Sequence, residues 1–181
     1  YFSGDENVSG ICGENIGTIQ NCYDAGTVKG NAYIGGIAGC NYNTIANCYS
    51  IGTIAGTSEV GGITGGNQET IANCYYLADS ETDDLDGTTA KTTDQFASGE
   101  VCHLLNGDQS NIAFYQNLST EKYPTLNADS KQVCRLELTY DESFGEDAKT
   151  KTSYHNSGDK LEKSPDKAYV YQYFKGGEQL A

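Results

Sequence analysis

Apolar side chains in the first half of the chain recur in short stretches at an interval of 26 residues. In the second interval the β-prone stretches read IGGIAG, TIANCY and GTIAG, and Gly or Asn separates them. The 3.6-residue apolar spacing of an amphipathic helix is absent from this region. A strict period in the twenties is typical of stacked solenoid repeats. The pattern therefore predicts three strands and three corners per repeat, which is one coil of a β-helix.

The repeats follow one another without a gap. They occupy 1–7 (a partial coil), 8–33, 34–59 and 60–85. In a parallel β-helix, residues at matching positions lie about 4.8 Å apart, so that like side chains form columns. Ile columns are expected to fill the core, Asn columns to form hydrogen bonds along the stack, and Gly columns to supply positive φ at corners. The predicted fold is mainly β, a right-handed parallel β-helix (β-solenoid) over residues 1–91.

The pattern changes at Thr92. The stretch TTDQFASGEVCHLLNG (92–107) places Ala97, Val101, Leu104 and Leu105 on one face of a helix that ends at Gly107. The last coil of a solenoid exposes its apolar core, and a helix at this position can cover it. Residues 92–127 are therefore predicted to form a helical cap and closing segment.

The remaining tail, 128–181, contains two candidate strands, 133–140 and 168–174. The second strand either pairs with the first or opens a further domain. Residues 141–167 between them are charged and polar without periodicity, which predicts a linker or a mobile loop. The tail is thus expected to be small and to contain β-structure.

Charge and motifs exclude several functions. Lys and Arg total 11 against 25 Asp and Glu, a net charge of −14, which argues against nucleic acid as a partner. No apolar run reaches the ~18 residues that span a bilayer, so membrane insertion is not expected. The sequence contains no HExxH, GxSxG or phosphate-loop motif, and its repeats carry one basic residue, Lys29. The chain is therefore expected not to be an enzyme. Because it opens midway through a repeat and contains no Met, it is expected to continue into further repeats of a longer chain.

Two columns of the repeat raise the question of chemistry. Cys22, Cys48 and Cys74 are each followed by a tyrosine, which gives the column Tyr23, Tyr49 and Tyr75. Stacked thiols lie along a line and do not converge on one metal ion, so packing is the preferred interpretation, with a disulfide or an adventitious metal as the alternatives. The tyrosines either stack on one another at a corner or form an exposed, ligand-binding stripe.

The segment LADSETDDLDGTT after the third copy is rich in carboxylates. Its acidic residues are Asp79, Glu81, Asp83, Asp84 and Asp86. Alternating carboxylates before a Gly are compatible with calcium, although the EF-hand spacing is not met. A solvated loop is the preferred interpretation and a calcium site the alternative; no other cofactor is expected.

The repeats resemble the GLUG motif of bacterial surface and secreted proteins. Its Gly-Leu-x-Gly core appears here as Gly10–Gly13, Gly36–Gly39 and Gly62–Gly65, with Ile in place of Leu. The resemblance covers about residues 1–127 and implies a β-solenoid of adhesin-like proteins that carries no catalytic residues. The expected function is adhesion, ligand presentation or spacing at the cell surface or in a secreted protein, with a host glycan, mucin or surface protein as partner. The alternative is an accessory module of a secreted peptidase or carbohydrate-active enzyme.

Overall fold

The computed structural model describes residues 1–78, 85, 87–139, 150–159, 170–175 and 178–180. The chain divides into two compact units, Tyr1–Thr93 and Asp94–Ala181. Stacked parallel strands form the first unit, and an antiparallel sheet is the main element of the second. No helix among the described residues is long and apolar enough to cross a membrane.

Short strands make up the first unit. In chain order they are β1 (Phe2–Ser3), β2 (Glu6–Ser9), β3 (Cys12–Asn15), β4 (Thr18–Gln20), β5 (Tyr23–Asp24), β6 (Thr27–Lys29), β7 (Ala32–Gly35), β8 (Ala38–Asn41), β9 (Thr44–Ala46), β10 (Tyr49–Ser50), β11 (Thr53–Ala55), β12 (Ser58–Gly61), β13 (Thr64–Asn67), β14 (Ile71–Ala72), β15 (Cys74–Leu77) and β16 (Thr88–Lys91). They pair in parallel as five sheets, β1–β6–β11, β2–β7–β12, β3–β8–β13, β4–β9–β14 and β5–β10–β15–β16.

The register between coils is the one that the repeat predicts. Ile45 pairs with Ile19 on one side and Ile71 on the other, at the 26-residue interval. Tyr49 pairs in the same way with Tyr23 and Tyr75. The stacked parallel strands confirm the predicted mainly β solenoid.

The number of strands per coil differs from the prediction. A complete coil contains five short strands, as β7 to β11 show, and not three. The stretch IGGIAG is divided by a bend at Gly36–Ile37, and TIANCY is divided at Asn47, whose φ is 52°. Each bend ends one strand and turns the chain into the next, so that two of the three predicted strands become four.

The glycine columns do not have the predicted role. Gly87, directly before β16, has φ 86°, but over residues 1–78 the positive-φ residues are not glycines. They are Asn7, Asn21, Tyr33, Asn47, Glu59 and Asn73. The glycines instead allow close approach, because a β-carbon on Gly36 would lie 2.3 Å from Ser50 Oγ and 2.7 Å from the carbonyl oxygen of Gly62.

The core of the first unit consists of two apolar clusters. One is formed by Ile37, Ala38, Ile45, Cys48, Ile63, Ile71, Cys74 and Tyr76. The other is formed by Val8, Val28, Ile34 and Ile54. The predicted Ile columns therefore fill the core in the second and third coils, whereas Ile11 of the first coil is 47% exposed.

The predicted helix over 92–107 is two helices, α1 (Thr93–Ala97) and α2 (Glu100–Asn106). Gly99 separates them in a left-handed conformation, with φ 90°. A β-carbon there would lie 2.7 Å from Leu118 and 2.9 Å from Val133, so both space and conformation require glycine. As predicted, the helical segment ends at Gly107, whose N–H donates to the carbonyl oxygen of His103.

The tail contains an antiparallel sheet in the order β18–β17–β19–β20. Its strands are β17 (Val133–Thr139), β18 (Thr150–Asn156), β19 (Val170–Lys175) and β20 (Glu178–Leu180). The two predicted strands are thus present, and the second pairs with the first. The predicted linker 141–167 is wrong where β18 lies, because that polar strand pairs along the whole of β17.

Candidate functional site

The predicted tyrosine column lies on β5, β10 and β15. The rings of Tyr23 and Tyr49 stack with centroids 5.1 Å apart and planes 5° from parallel. Tyr23 is 40% exposed, whereas Tyr49 and Tyr75 are 1% and 8% exposed. The ammonium group of Lys91 lies 5.8 Å from the centroid of the Tyr75 ring. In the structure, Tyr23 and Tyr49 of the column thus stack on each other, and Tyr23 is its half-exposed member.

The acidic candidates Asp79, Glu81, Asp83, Asp84 and Asp86 lie outside the described residues. Within the part of the chain that is described, no group of three or more His, Cys, Asp or Glu side chains is arranged to hold a metal ion. The calcium interpretation of the acidic segment stays a prediction.

The cysteine column is a line of free thiols. Each Sγ donates to the carbonyl oxygen two residues earlier, at 3.2 Å for Cys22, 3.1 Å for Cys48 and 3.3 Å for Cys74. Contact with the Cys74 thiol, together with burial, raises the pKa of Cys48. These thiols therefore serve the core as small hydrogen-bond donors.

A groove of about 390 Å³ runs across all three coils on a different face. It lies where the sheet β2–β7–β12 meets the sheet β3–β8–β13. Its wall includes Asn7, Tyr33, Glu59 and Leu85, which occupy one column of the 26-residue repeat. Sequence analysis did not identify this groove.

Two half-exposed aromatic side chains line the groove. Tyr33 is 39% and Tyr42 is 40% exposed. Tyr33 has φ 57°, and its ring passes over Gly66 of the next coil, where an added β-carbon would lie 3.2 Å from Tyr33 Cδ1. Glycine at position 66 therefore makes room for the ring. Exposed aromatic faces beside a concave surface are suited to stacking on a ligand.

Polar side chains surround these rings. The Asn7 amide donates to Glu14 Oε1 at 2.8 Å and accepts a bond from Cys40 Sγ at 3.3 Å. Interactions with Cys40, followed by desolvation and the proximity of Glu14 and Tyr33, raise the pKa of Tyr42. The Tyr42 phenol is therefore neutral at pH 7. Among the described residues that line the groove, the charged ones are Glu6 and Glu59.

The groove escaped sequence analysis because the exposed side chains that characterise it, such as Tyr33, Tyr42 and Glu59, occupy columns that do not repeat. Position 7 of the first coil is Asn, and the matching residues are Tyr33 and Glu59. Positions 16, 42 and 68 hold Ile, Tyr and Gln. Constant columns form the core and the ladders, so the signal for an outward-facing site is variation at a fixed position of the repeat.

Comparison with protein families gives one match. Residues 30–55 match the family model described as the GLUG motif. These residues include most of the second coil, from the end of β6 to β11, and with them Tyr33 and Tyr42. The match confirms the predicted GLUG resemblance and identifies a repeat module. Neither the curated proteins nor the solved structures give a match.

Proposed function

We propose that the chain is a non-catalytic, extracellular segment of a bacterial surface protein that takes part in adhesion by binding a glycan. The observation that carries the proposal is the groove in which Tyr33 and Tyr42 expose their rings beside carboxylate and amide side chains. Aromatic faces stack on sugar rings, and carboxylates and amides exchange hydrogen bonds with sugar hydroxyls.

The scaffold supports such a site because it holds the lining side chains on paired strands. β7 pairs with β2 and β12, and β8 pairs with β3 and β13. The lining residues Gly65, Gly66 and Asn67 belong to β13 itself. Side chains on rigid elements keep a binding geometry with little loss of entropy, which favours recognition of a weakly attractive ligand such as a sugar.

The size of the groove is compatible with a small part of a glycan chain. Its volume of about 390 Å³ lies in the lower part of the range for ligand pockets, ~300–1,000 Å³. The groove crosses successive coils, so an extended ligand would lie along the solenoid axis.

The test is binding of the whole chain to a glycan and mucin array, with and without calcium. We expect saturable binding that falls about tenfold in Tyr42→Ala, which corresponds to about 1.4 kcal/mol. Tyr33→Ala is also expected to weaken binding to the glycan. Tyr23→Ala is the matched control, because Tyr23 has the same exposure as Tyr42 but lies on β5 and does not line the groove. Circular dichroism and thermal unfolding verify that each variant is folded.

Three results separate the proposal from its competitors. Binding lost in Tyr23→Ala and kept in Tyr42→Ala would move the site to the tyrosine column. A folded protein that binds nothing on the array would contradict glycan recognition and leave the chain a spacer. Turnover of a glycan or peptide by this chain alone would contradict the non-catalytic part.

A further inference from the structure

We propose that the groove selects amino-sugar oligosaccharides with free, protonated amines and rejects acidic sugars; this inference rests on the proposed glycan-binding function. It concerns the same groove and names the ligand class. Three features of the described residues carry it: the sign of the charge, the nature of the aromatic faces and the way in which the strands are paired.

The charge of the groove is negative. Glu6 and Glu59 line it, and the described residues of its lining include no Lys, Arg or His. Glu14 adds a third carboxylate nearby, held by Asn7 at 2.8 Å. The whole chain has a net charge of −14, so the electrostatic potential of the molecule and the potential in the groove are both negative. Such a site attracts ammonium groups and repels the carboxylates of uronic and sialic acids.

The aromatic faces favour the same ligand. The rings of Tyr33 and Tyr42 are half exposed in the groove, and the face of a phenol ring is electron-rich. An ammonium group is attracted to such a face, and a sugar ring can stack on it. An amino sugar offers both groups within one residue, which matches two exposed tyrosines beside two carboxylates.

The pairing of the strands favours a sugar over a peptide. Peptides commonly bind a sheet by adding a strand to a free edge. The central strands of this region, β7 and β8, are each paired on both sides. The middle of the groove, where Tyr33 of β7 and Cys40 of β8 lie, therefore offers side chains and no strand edge. Side-chain donors and acceptors are what sugar hydroxyls require.

The experiment compares three hexasaccharides by calorimetry in slightly acidic buffer, where sugar amines are protonated and glutamates remain ionised. The probes are a glucosamine oligomer, its N-acetylated counterpart with the same backbone, and an oligogalacturonate. We expect the glucosamine oligomer to bind about fivefold more tightly than the N-acetylated one. The oligogalacturonate is expected not to bind. Added NaCl should weaken the first interaction most.

Charge-neutral variants test the origin of this preference. Glu59→Gln and Glu6→Gln should lower the affinity for the glucosamine oligomer more than that for its N-acetylated counterpart. Glu69→Gln is the matched control, because Glu69 is an exposed glutamate of the same coil that does not line the groove. An unchanged ratio of the two affinities in Glu59→Gln and Glu6→Gln would overturn the inference.

The outcomes distinguish the inference from the function on which it rests. If none of the oligosaccharides binds and the array is also silent, the proposed function fails. If the N-acetylated or acidic sugar binds as well as the amino sugar, the selectivity fails and glycan binding stands. An oligolysine peptide serves as the remaining probe. If it binds more tightly than every sugar and Tyr42→Ala abolishes its binding, the groove is a peptide site and both are overturned.

Discussion

At the scale of single residues, the asparagine ladder shows how the repeat is held in register. Asn15 Nδ2 donates to Asn41 Oδ1 at 2.7 Å, and Asn41 Nδ2 donates to Asn67 Oδ1 at 2.8 Å. Asn41 is fully buried and also donates to the carbonyl oxygen of Asn43. One amide therefore satisfies partners in three successive coils, in a place that water does not reach.

Replacing the middle member of this ladder should destabilise the solenoid. Asn41→Ala removes the amide that accepts a hydrogen bond from Asn15 and donates one to Asn67. We therefore expect the free energy of unfolding to fall by about 1–3 kcal/mol. Urea unfolding measures this change, with Gln20→Ala on the exposed face of β4 as the control. A loss of stability no larger than that of Gln20→Ala would show that the asparagine ladder contributes little to the stability of the solenoid.

Asp24 is an acidic residue whose burial the sequence pattern does not predict. It is 5% exposed, and it accepts bonds from the Gly26 N–H at 3.0 Å and from Ser50 Oγ at 3.5 Å. In the next two coils its column holds Ser50 and Tyr76, both buried. Burial raises the pKa of the Asp24 carboxyl, and the bonds from Gly26 and Ser50 oppose the increase only in part. The folded state therefore binds a proton on Asp24 more tightly than the unfolded state does.

Asp24→Asn should consequently stabilise the protein at neutral pH. A raised folded-state pKa gives stability that is complete below the ordinary value of 3.8 and is lost as the pH rises through the folded-state pKa. The advantage of the variant should thus be largest at neutral pH and shrink on acidification. Urea unfolding of both proteins over a pH series measures the difference, and exposed Asp108→Asn is the control. An advantage that grows on acidification would contradict the assignment.

At the scale of elements, the glycine columns determine how closely consecutive strands approach at the bends. Gly36→Ala would bring a methyl group to 2.5 Å from Ser50 Cβ and 2.7 Å from the Gly62 carbonyl oxygen. We expect a destabilisation of about 1–3 kcal/mol, because both neighbours are buried and closely packed. Thermal unfolding followed by circular dichroism measures it.

Gly17 provides the matched control for this change. A β-carbon there meets nothing within 4 Å, and the repeats already hold Asn43 and Glu69 at the same position. Gly17→Ala should therefore leave stability within about 0.5 kcal/mol or raise it slightly. Equal effects of the two substitutions would mean that close approach is not the reason for the glycine at position 36.

The comparison of these elements with the sequence shows which features a repeat can predict. Constant columns predict register, core and ladder, because like residues must stack on like. The bends were harder to predict, since Tyr33 and Glu59 are unusual residues for positive φ. The bend at Asn21 also resets the alternation of side chains, so that Tyr23 faces outward and Asp24 inward. The groove was not predicted because it depends on these bends and on columns that vary.

At the scale of the whole molecule, the main feature is unbalanced charge. Asp and Glu exceed Lys and Arg by 25 to 11. The ion pairs Lys131–Asp159, at 3.2 Å, and Arg135–Glu137 both lie in the second unit. Residues 1–78 contain six acidic side chains and one basic side chain, Lys29, so the charge of this part of the chain is strongly negative. Folding brings like charges nearer than they are in the unfolded chain, which opposes the compact state.

Salt should therefore stabilise this protein. Raising NaCl from about 0.02 M to about 0.5 M shortens the Debye length below the spacing of most surface charges, so the urea midpoint should rise. Choline chloride at equal ionic strength should have the same effect, because screening does not depend on the cation. A midpoint that does not move would contradict the importance of self-repulsion.

The same titration tests the acidic segment that contains Asp79, Glu81, Asp83, Asp84 and Asp86. If this segment is a solvated loop, calcium chloride should stabilise no more than NaCl at equal ionic strength. A calcium site would give additional stabilisation that saturates with a defined affinity, because a ligand that binds the folded state alone shifts the unfolding equilibrium. Replacing Asp83 and Asp84 by Asn should then remove only the calcium-specific part and leave the response to NaCl nearly unchanged. We expect the solvated loop, with equal midpoints in the two salts.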